Sequence, residues 1–305
     1  MMNFKAASAA ILIASTLLLH ACTLPVLSVL PAWVVKDNDF RGDFLVDHHR
    51  HKFDSGTARI FLPRDNLPRD KWTLIGKDDV GIKGMWLKQT LVSLHFRRGA
   101  LAKFRTNEFS HKEVAGLVYF LDMSVTGSPA EDREKTRQPA FADTCSGNYR
   151  SQGDYFLAPL SKRLGVTGCW FISSVDFTED GVSFAGLDQA INEPLEDELG
   201  IQRSSKMQRQ MEKYVTDRNI RVPATMIVIG FLGDTDTRSL MALYFFNPAL
   251  DGVARGRGGV SDWHVHNIRR SPKRRAYLKK LRTWGTKWQH RFVRGLLIPT
   301  ADNNR

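Results

Sequence analysis

The 305-residue chain lacks the short signatures that assign chemistry outright. It contains no Gly-x-Ser-x-Gly elbow, no Ser-x-x-Lys, no His-Glu-x-x-His and no Walker loop, which removes the reason to name a serine hydrolase, a zinc peptidase or a P-loop enzyme. Cysteine is scarce, at three residues, and this excludes a disulfide-dense scaffold. No internal repeat, Gly-x-y period or sustained heptad pattern occurs, so solenoid, collagen-like and coiled-coil chains are excluded. Charge is missing from one stretch, the 30 positions between Lys5 and Lys36. What remains is ordinary globular composition, 42% hydrophobic and 25% charged, enough for one or two domains with a sizeable core.

The uncharged N-terminal stretch is the first informative segment. Lys5 precedes an apolar run from Ala6 to Leu19, followed by Leu19-His20-Ala21-Cys22. A short positive start, an apolar region and small residues before a cut are what the export machinery reads. The segment resembles the signal and lipobox of bacterial lipoproteins: an aliphatic residue, a tolerant position here held by His20, a small residue and Cys. The resemblance covers positions 1 to 22. It implies that residues 1–21 are a signal peptide and that Cys22 becomes the first mature residue, carrying acyl chains that hold the protein to a membrane. Thr23 rather than Asp after the Cys favours the outer over the inner membrane, with the body facing the periplasm. An uncleaved anchor is the competing reading, since a spanning helix needs ~20 apolar residues; Pro25 and Pro31 favour instead an extended tether over residues 22–38.

An exported chain meets an oxidising space, where Cys145 and Cys169 are expected to pair. Closing a loop of this length stabilises by roughly 3 kcal/mol in the chain-entropy model. The alternative is a nucleophilic Cys145 in Asp143-Thr144-Cys145-Ser146-Gly147, but Thr144 interrupts the Asp-Cys-Ser-Gly pattern of some cell-wall peptidases.

Charge is distributed unevenly. Residues 22–250 balance 29 basic against 29 acidic side chains, whereas residues 251–305 carry 14 basic and 3 acidic ones and so supply most of the net +12. A basic tail on a neutral body points to an anionic partner. Ser271 can cap a helix, Pro272 suits its first position, and Tyr277, Leu281, Trp284, Trp288 and Phe292 then form one apolar stripe. Arg275, Lys279, Lys280, Arg282, Lys287, Arg291 and Arg294 fall mainly on the other side. Such a helix suits contact with anionic lipid or lipopolysaccharide through Lys279, Lys280, Arg282, Trp284, Lys287, Trp288 and Arg291. It suits equally well docking of the stripe onto its own domain, or onto an envelope protein partner. Gly285 weakens the helix by ~1 kcal/mol relative to Ala. Nucleic acid is disfavoured by the export signal.

Between the ends, residues 39–262 read as a soluble α+β domain with a mainly antiparallel sheet, a few helices and one disulfide, followed by a basic amphipathic segment over 263–305. Short strands are expected at Ala58 to Leu62, Trp72 to Ile75 and Thr90 to Phe96. Ser110-His111-Lys112-Glu113 fits a capping box and predicts a helix to about Leu121. A long polar loop is expected over 124–153, then a hairpin from Cys169 to Phe177 and Val182 to Phe184. A helix is expected from Ser205 to Thr216. The near-continuous apolar runs Val222 to Leu232 and Ser239 to Phe246 predict central strands covered on both faces.

Metal and carboxylate sites are weakly indicated. His264 and His266 would share one face of an extended segment and could ligate a metal; His48, His49 and His51 with Asp47 lie near the tether. Glu193, Glu196, Asp197 and Glu198, and Asp234 with Asp236, read as solvated groups. No cofactor is expected. The sequence therefore reads as a lipid-anchored envelope module of the binding or structural kind, with an anchored hydrolase using a metal at His264 and His266 as the alternative.

Overall fold

The computed structural model describes residues 34–35, 44–46, 49–51, 58–60, 72–87, 90–107, 109–126, 145, 155–160, 165–177, 205–235, 238–253, 263 and 265–297. The strands are β1 (Val34–Val35), β2 (Phe44–Val46), β3 (His49–His51), β4 (Ala58–Arg59), β5 (Thr73–Leu87), β6 (Thr90–Thr106), β7 (Lys112–Thr126), β8 (Phe156–Pro159), β9 (Thr167–Asp176), β10 (Thr225–Asp234) and β11 (Arg238–Phe246). The helices are α1 (Ser205–Thr216), α2 (Val265–Arg270) and α3 (Pro272–Leu297). Eight strands form one sheet in the order β1-β5-β6-β7-β11-β10-β9-β8, antiparallel at every pairing. A second, small sheet, β3-β2-β4, includes a parallel pair, and its β4 lies near α3. The molecule is α+β with a mainly antiparallel sheet, as its hairpin-like strand spacing predicts.

The central strands β10 and β11 are buried on both sides; α3 packs on one face, and on the other their side chains join a cluster that includes α1, which itself lies against β5 and β6. Along β10, Met226, Val228 and Leu232 join one buried cluster with Met207, Met211 and Val215 of α1. The alternate residues Ile227, Ile229 and Phe231 join a second cluster with Tyr277, Leu281, Trp288 and Phe292 of α3. Side chains alternate across a strand, so these clusters are the two faces of one sheet. That accounts for the unbroken apolar runs of β10 and β11, an antiparallel pair patterned like a doubly covered sheet. The chain turns between them with the Thr235 amide and hydroxyl donating to the Arg238 carbonyl.

Two regions depart from the sequence expectation. The expected helix after Ser110 is β7, which pairs with β6 along almost its whole length. Ser110 is not a cap; it sits at positive φ, 62°, in the turn of the hairpin, where the Asn107 side-chain oxygen accepts from the Phe109 and His111 amides. The run Val114 to Thr126 is rich in β-branched and aromatic residues, and strand pairing with β6 and β11 overrides the local capping pattern. β5 and β6 also run much further than the short strands expected. Charged residues such as Asp78, Arg97 and Arg98 interrupt their apolar pattern, yet all three are buried.

The expected disulfide is present: Cys145 bonds Cys169 of β9, with Cα atoms 5.4 Å apart. β9 pairs with β8 and β10; Val182 to Phe184 lie outside the described residues, as do most of 124–153. The edge strand β8 is four residues long and ends at Pro159.

Candidate functional site

The site the sequence singles out is the outer face of α3, and its position follows from how the helix is held. The Ser271 hydroxyl accepts from the Arg274 amide at 3.4 Å and its carbonyl from the Arg275 amide at 3.1 Å, so the cap and the Pro272 start are as the sequence implies. The aromatic stripe then lies on β9, β10 and β11. Trp284 and Trp288 stack at 4.8 Å between ring centroids. Trp284 meets Tyr244 at 5.4 Å and Phe246 at 5.2 Å, and Phe292 stacks on Phe231 at 5.4 Å. Trp288 is buried and Trp284 half-buried.

Gly285 has a structural reason. A Cβ there would come within 2.3 Å of the Trp170 ring, so the glycine gives up helix propensity to admit a strand indole. Burial pushes the phenols of Tyr244 and Tyr277 far above their ordinary value of 10.0, helped at Tyr277 by the Asp251 carboxylate, which accepts its hydroxyl at 3.1 Å. Both rings therefore stay neutral under the helix.

The end of α3 is fixed by a buried ion cluster that the sequence reading missed. Arg97 of β6 donates to Asp122 of β7 at 2.8 Å, and Arg238 of β11 donates to both oxygens of the same carboxylate at 2.6 and 3.1 Å. All three side chains are 5% exposed or less. Arg238 also donates to the carbonyls of Gly295 and Leu296, two of the last carbonyls of α3, which have no acceptor role within the helix. Two cations face one carboxylate, and the partial negative charge of a helix C-terminus offsets part of the excess. The signal for this cluster was a charged residue inside each of three otherwise apolar strands. On the opposite face Arg98 donates to Asp78 at 2.5 Å.

The cations expected to meet an anionic surface are on the outer face: Lys279, Lys280, Arg282, Lys287 and Arg291 are exposed. Trp284 and Trp288 are not with them, since docking on the sheet has placed both in or at the core. Arg282 lies over the Phe156 ring at 4.3 Å and Arg291 over Trp288 at 4.6 Å. Among the described residues no helix is long and apolar enough to cross a membrane.

The remaining candidates separate. Cys22 and His264 lie outside the described residues. His266 falls on α2, a helix, so the extended segment that would align it with His264 is not formed there. His49 and His51 lie on β3, and His48 and Asp47 are outside the described residues. Among the described residues no three His, Cys, Asp or Glu side chains converge to hold a metal. Asp234 is buried at the end of β10, not solvated as expected. Asp236 and the acidic run from Glu193 to Glu198 lie outside the described residues. Cys145 is held in the disulfide, which removes its thiol as a nucleophile. No family model, curated protein or solved structure matches the chain.

Proposed function

We propose that the protein is a lipid-anchored protein of the bacterial envelope, held by acyl chains on Cys22 and facing the periplasm. Its folded body acts as a binding or structural module and presents the basic face of α3 to anionic lipid, lipopolysaccharide or a partner protein. One observation carries the envelope setting: Leu19-His20-Ala21-Cys22 follows an uncharged apolar run, while the body holds a disulfide between Cys145 and Cys169. Disulfides persist in oxidising compartments and are rare in the reducing cytosol, so export and the disulfide call for the same location. Two or more acyl chains on Cys22 would anchor firmly, since each buried methylene adds ~0.8 kcal/mol.

The binding role follows from charge. α3 carries nine Lys and Arg and no Asp or Glu, on a body whose charges otherwise balance. Intact mass and membrane fractionation beside a Cys22→Ser variant test the proposal. The wild type should begin at Cys22 with added acyl mass and sediment with membranes, and the variant should lose both properties. A wild-type chain that keeps residues 1–21 and stays soluble would overturn it.

A further inference from the structure

The cations of α3 are not spread evenly over its outer face. Lys273, Lys280, Lys287 and Arg294 recur at intervals of seven residues, and all four are exposed. Seven residues advance about 10.5 Å along a helix and fall about 20° short of two full turns. The four therefore form one nearly straight row, about 31 Å long by the same geometry. Arg291 lies beside it, four residues from Lys287 and three from Arg294, adjacent on the helix surface. Among the described residues none of the four has a hydrogen-bond, ion-pair or ring partner.

The other flank differs. Arg275 donates to the Arg269 carbonyl and Arg282 lies over Phe156, so both of its cations are engaged within the protein, and Lys279 falls on the crown, about 80° or more around the helix from the lysines of the row. The crown between the flanks carries Thr283 and Thr286, whose hydroxyls donate back to the helix carbonyls of Lys279 and Arg282. At its C-terminal end Lys287, Arg291 and Arg294 stand four and three residues apart, so their like charges work against the helix that bears them, and nothing acidic on α3 offsets them.

We infer that this row is the edge by which α3 rests on a phosphate-bearing bilayer surface, at headgroup level and without inserting. The inference rests on the membrane anchoring proposed above, which keeps the body close to such a surface. A straight line of flexible cations can meet a plane of phosphates along its whole length. Insertion is barred because the aromatic stripe that would enter the bilayer is spent on β9, β10 and β11. Phospholipid headgroups and lipopolysaccharide offer the same phosphate chemistry.

Lysine acylation footprinting of the full chain on vesicles tests this. Three compositions are compared: phosphatidylcholine alone, phosphatidylcholine with phosphatidylglycerol, and phosphatidylcholine with lipid A. A cation near an anionic surface gains about fivefold in binding. Acylation of Lys273, Lys280 and Lys287 should therefore slow at least about fivefold on an anionic composition relative to phosphatidylcholine. High salt should remove the protection, and Lys279, with Lys206 and Lys213 of α1, should react equally on all three. Protection on lipid A vesicles alone supports lipopolysaccharide as the source of phosphate, and protection on both anionic compositions supports phosphate in general. Equal slowing of Lys279 and the row would overturn the inference in favour of undirected net charge. Slowing by soluble polyphosphate but by neither anionic vesicle would overturn it in favour of a dissolved polyanion. Acylated mass at Cys22 without row protection would sink this inference while leaving the anchoring intact.

Discussion

The two long helices cover opposite faces of one sheet and do so by different means. α1 lies against β5 and β6 with two methionines and a valine. It comes close because Gly76 of β5 has no side chain, and the Lys77 amide donates to Gln210 at 2.9 Å. Its outer face mixes signs, with Gln208 donating to Glu212 and Lys213 paired to Asp217. α3 lies against β9, β10 and β11 with stacked aromatics, is tied at its end by a buried arginine, and shows one sign of charge outside. Mixed charge at three- and four-residue spacing satisfies a helix from within. A single sign does not, and on that contrast rests the proposal that α3 meets an external anionic surface.

The largest expected effect is on the α3 side. Trp288→Ala should cost ~3–5 kcal/mol, as large aromatic truncations in cores do, read as a lowered denaturation midpoint. If the ring served lipid contact alone, stability would not move. Asp122→Ala removes the carboxylate between two buried guanidinium groups and should cost a similar ~3–5 kcal/mol. Hydrogen exchange should rise in the last turns of α3 before it rises in α1; uniform acceleration would show that the ion cluster does not hold the helix end.

Alkaline pH sharpens the same contrast. Tyr244 and Tyr277 have folded-state values raised by burial, so their contribution is complete below the unfolded value of 10.0. Above it the unfolded chain releases protons that the folded chain keeps, and stability falls by up to about 1.4 kcal/mol per tyrosine for each pH unit. Tyr244→Phe should flatten that fall in urea titrations between neutral and alkaline pH; an unchanged slope would contradict a buried neutral phenol. Gly285→Ala and Gly76→Ala form the next pair. The first sets a Cβ 2.3 Å from the Trp170 ring, the second 2.8 Å from a flexible methionine carbon but 3.0 Å from the Met207 carbonyl. Overpacking costs ~1–3 kcal/mol, outweighing at position 285 the ~1 kcal/mol gain in helix propensity. The loss at 285 should exceed that at 76, and the reverse order of melting temperatures would refute the comparison. Smallest is Lys213→Ala on α1, where the exposed pair should be worth no more than ~0.5 kcal/mol.

Much of this architecture was legible where one local signal dominated. The boundaries of α1, the cap and start of α3, the Cys145–Cys169 pair and the doubly covered β10 and β11 all follow from spacing and composition. What misled was local pattern set against long-range pairing. Ser110 to Glu113 has the letters of a cap, but the strand partners that decide its conformation lie on β6 and β11. The Arg97, Asp122 and Arg238 cluster was hidden because its members are 25 and 116 positions apart in sequence, and a charge in a strand reads as an exposed position until its neighbours are known. The seven-residue row on α3 was visible in principle. The apolar stripe implies cations on the opposite side of the helix but does not say which of them the fold leaves without partners.

The short edge strand β8 has a consequence for crowding. A sheet edge with free backbone donors and acceptors can template a strand from a neighbouring molecule. Confinement to a surface would bring such edges together far more often than free diffusion does. β8 offers only four residues and closes with Pro159, which has no amide hydrogen to donate. At that edge the sheet stops with its own chain, so copies held side by side on a surface, as the proposed anchoring would hold them, could not extend one another's sheets through β8.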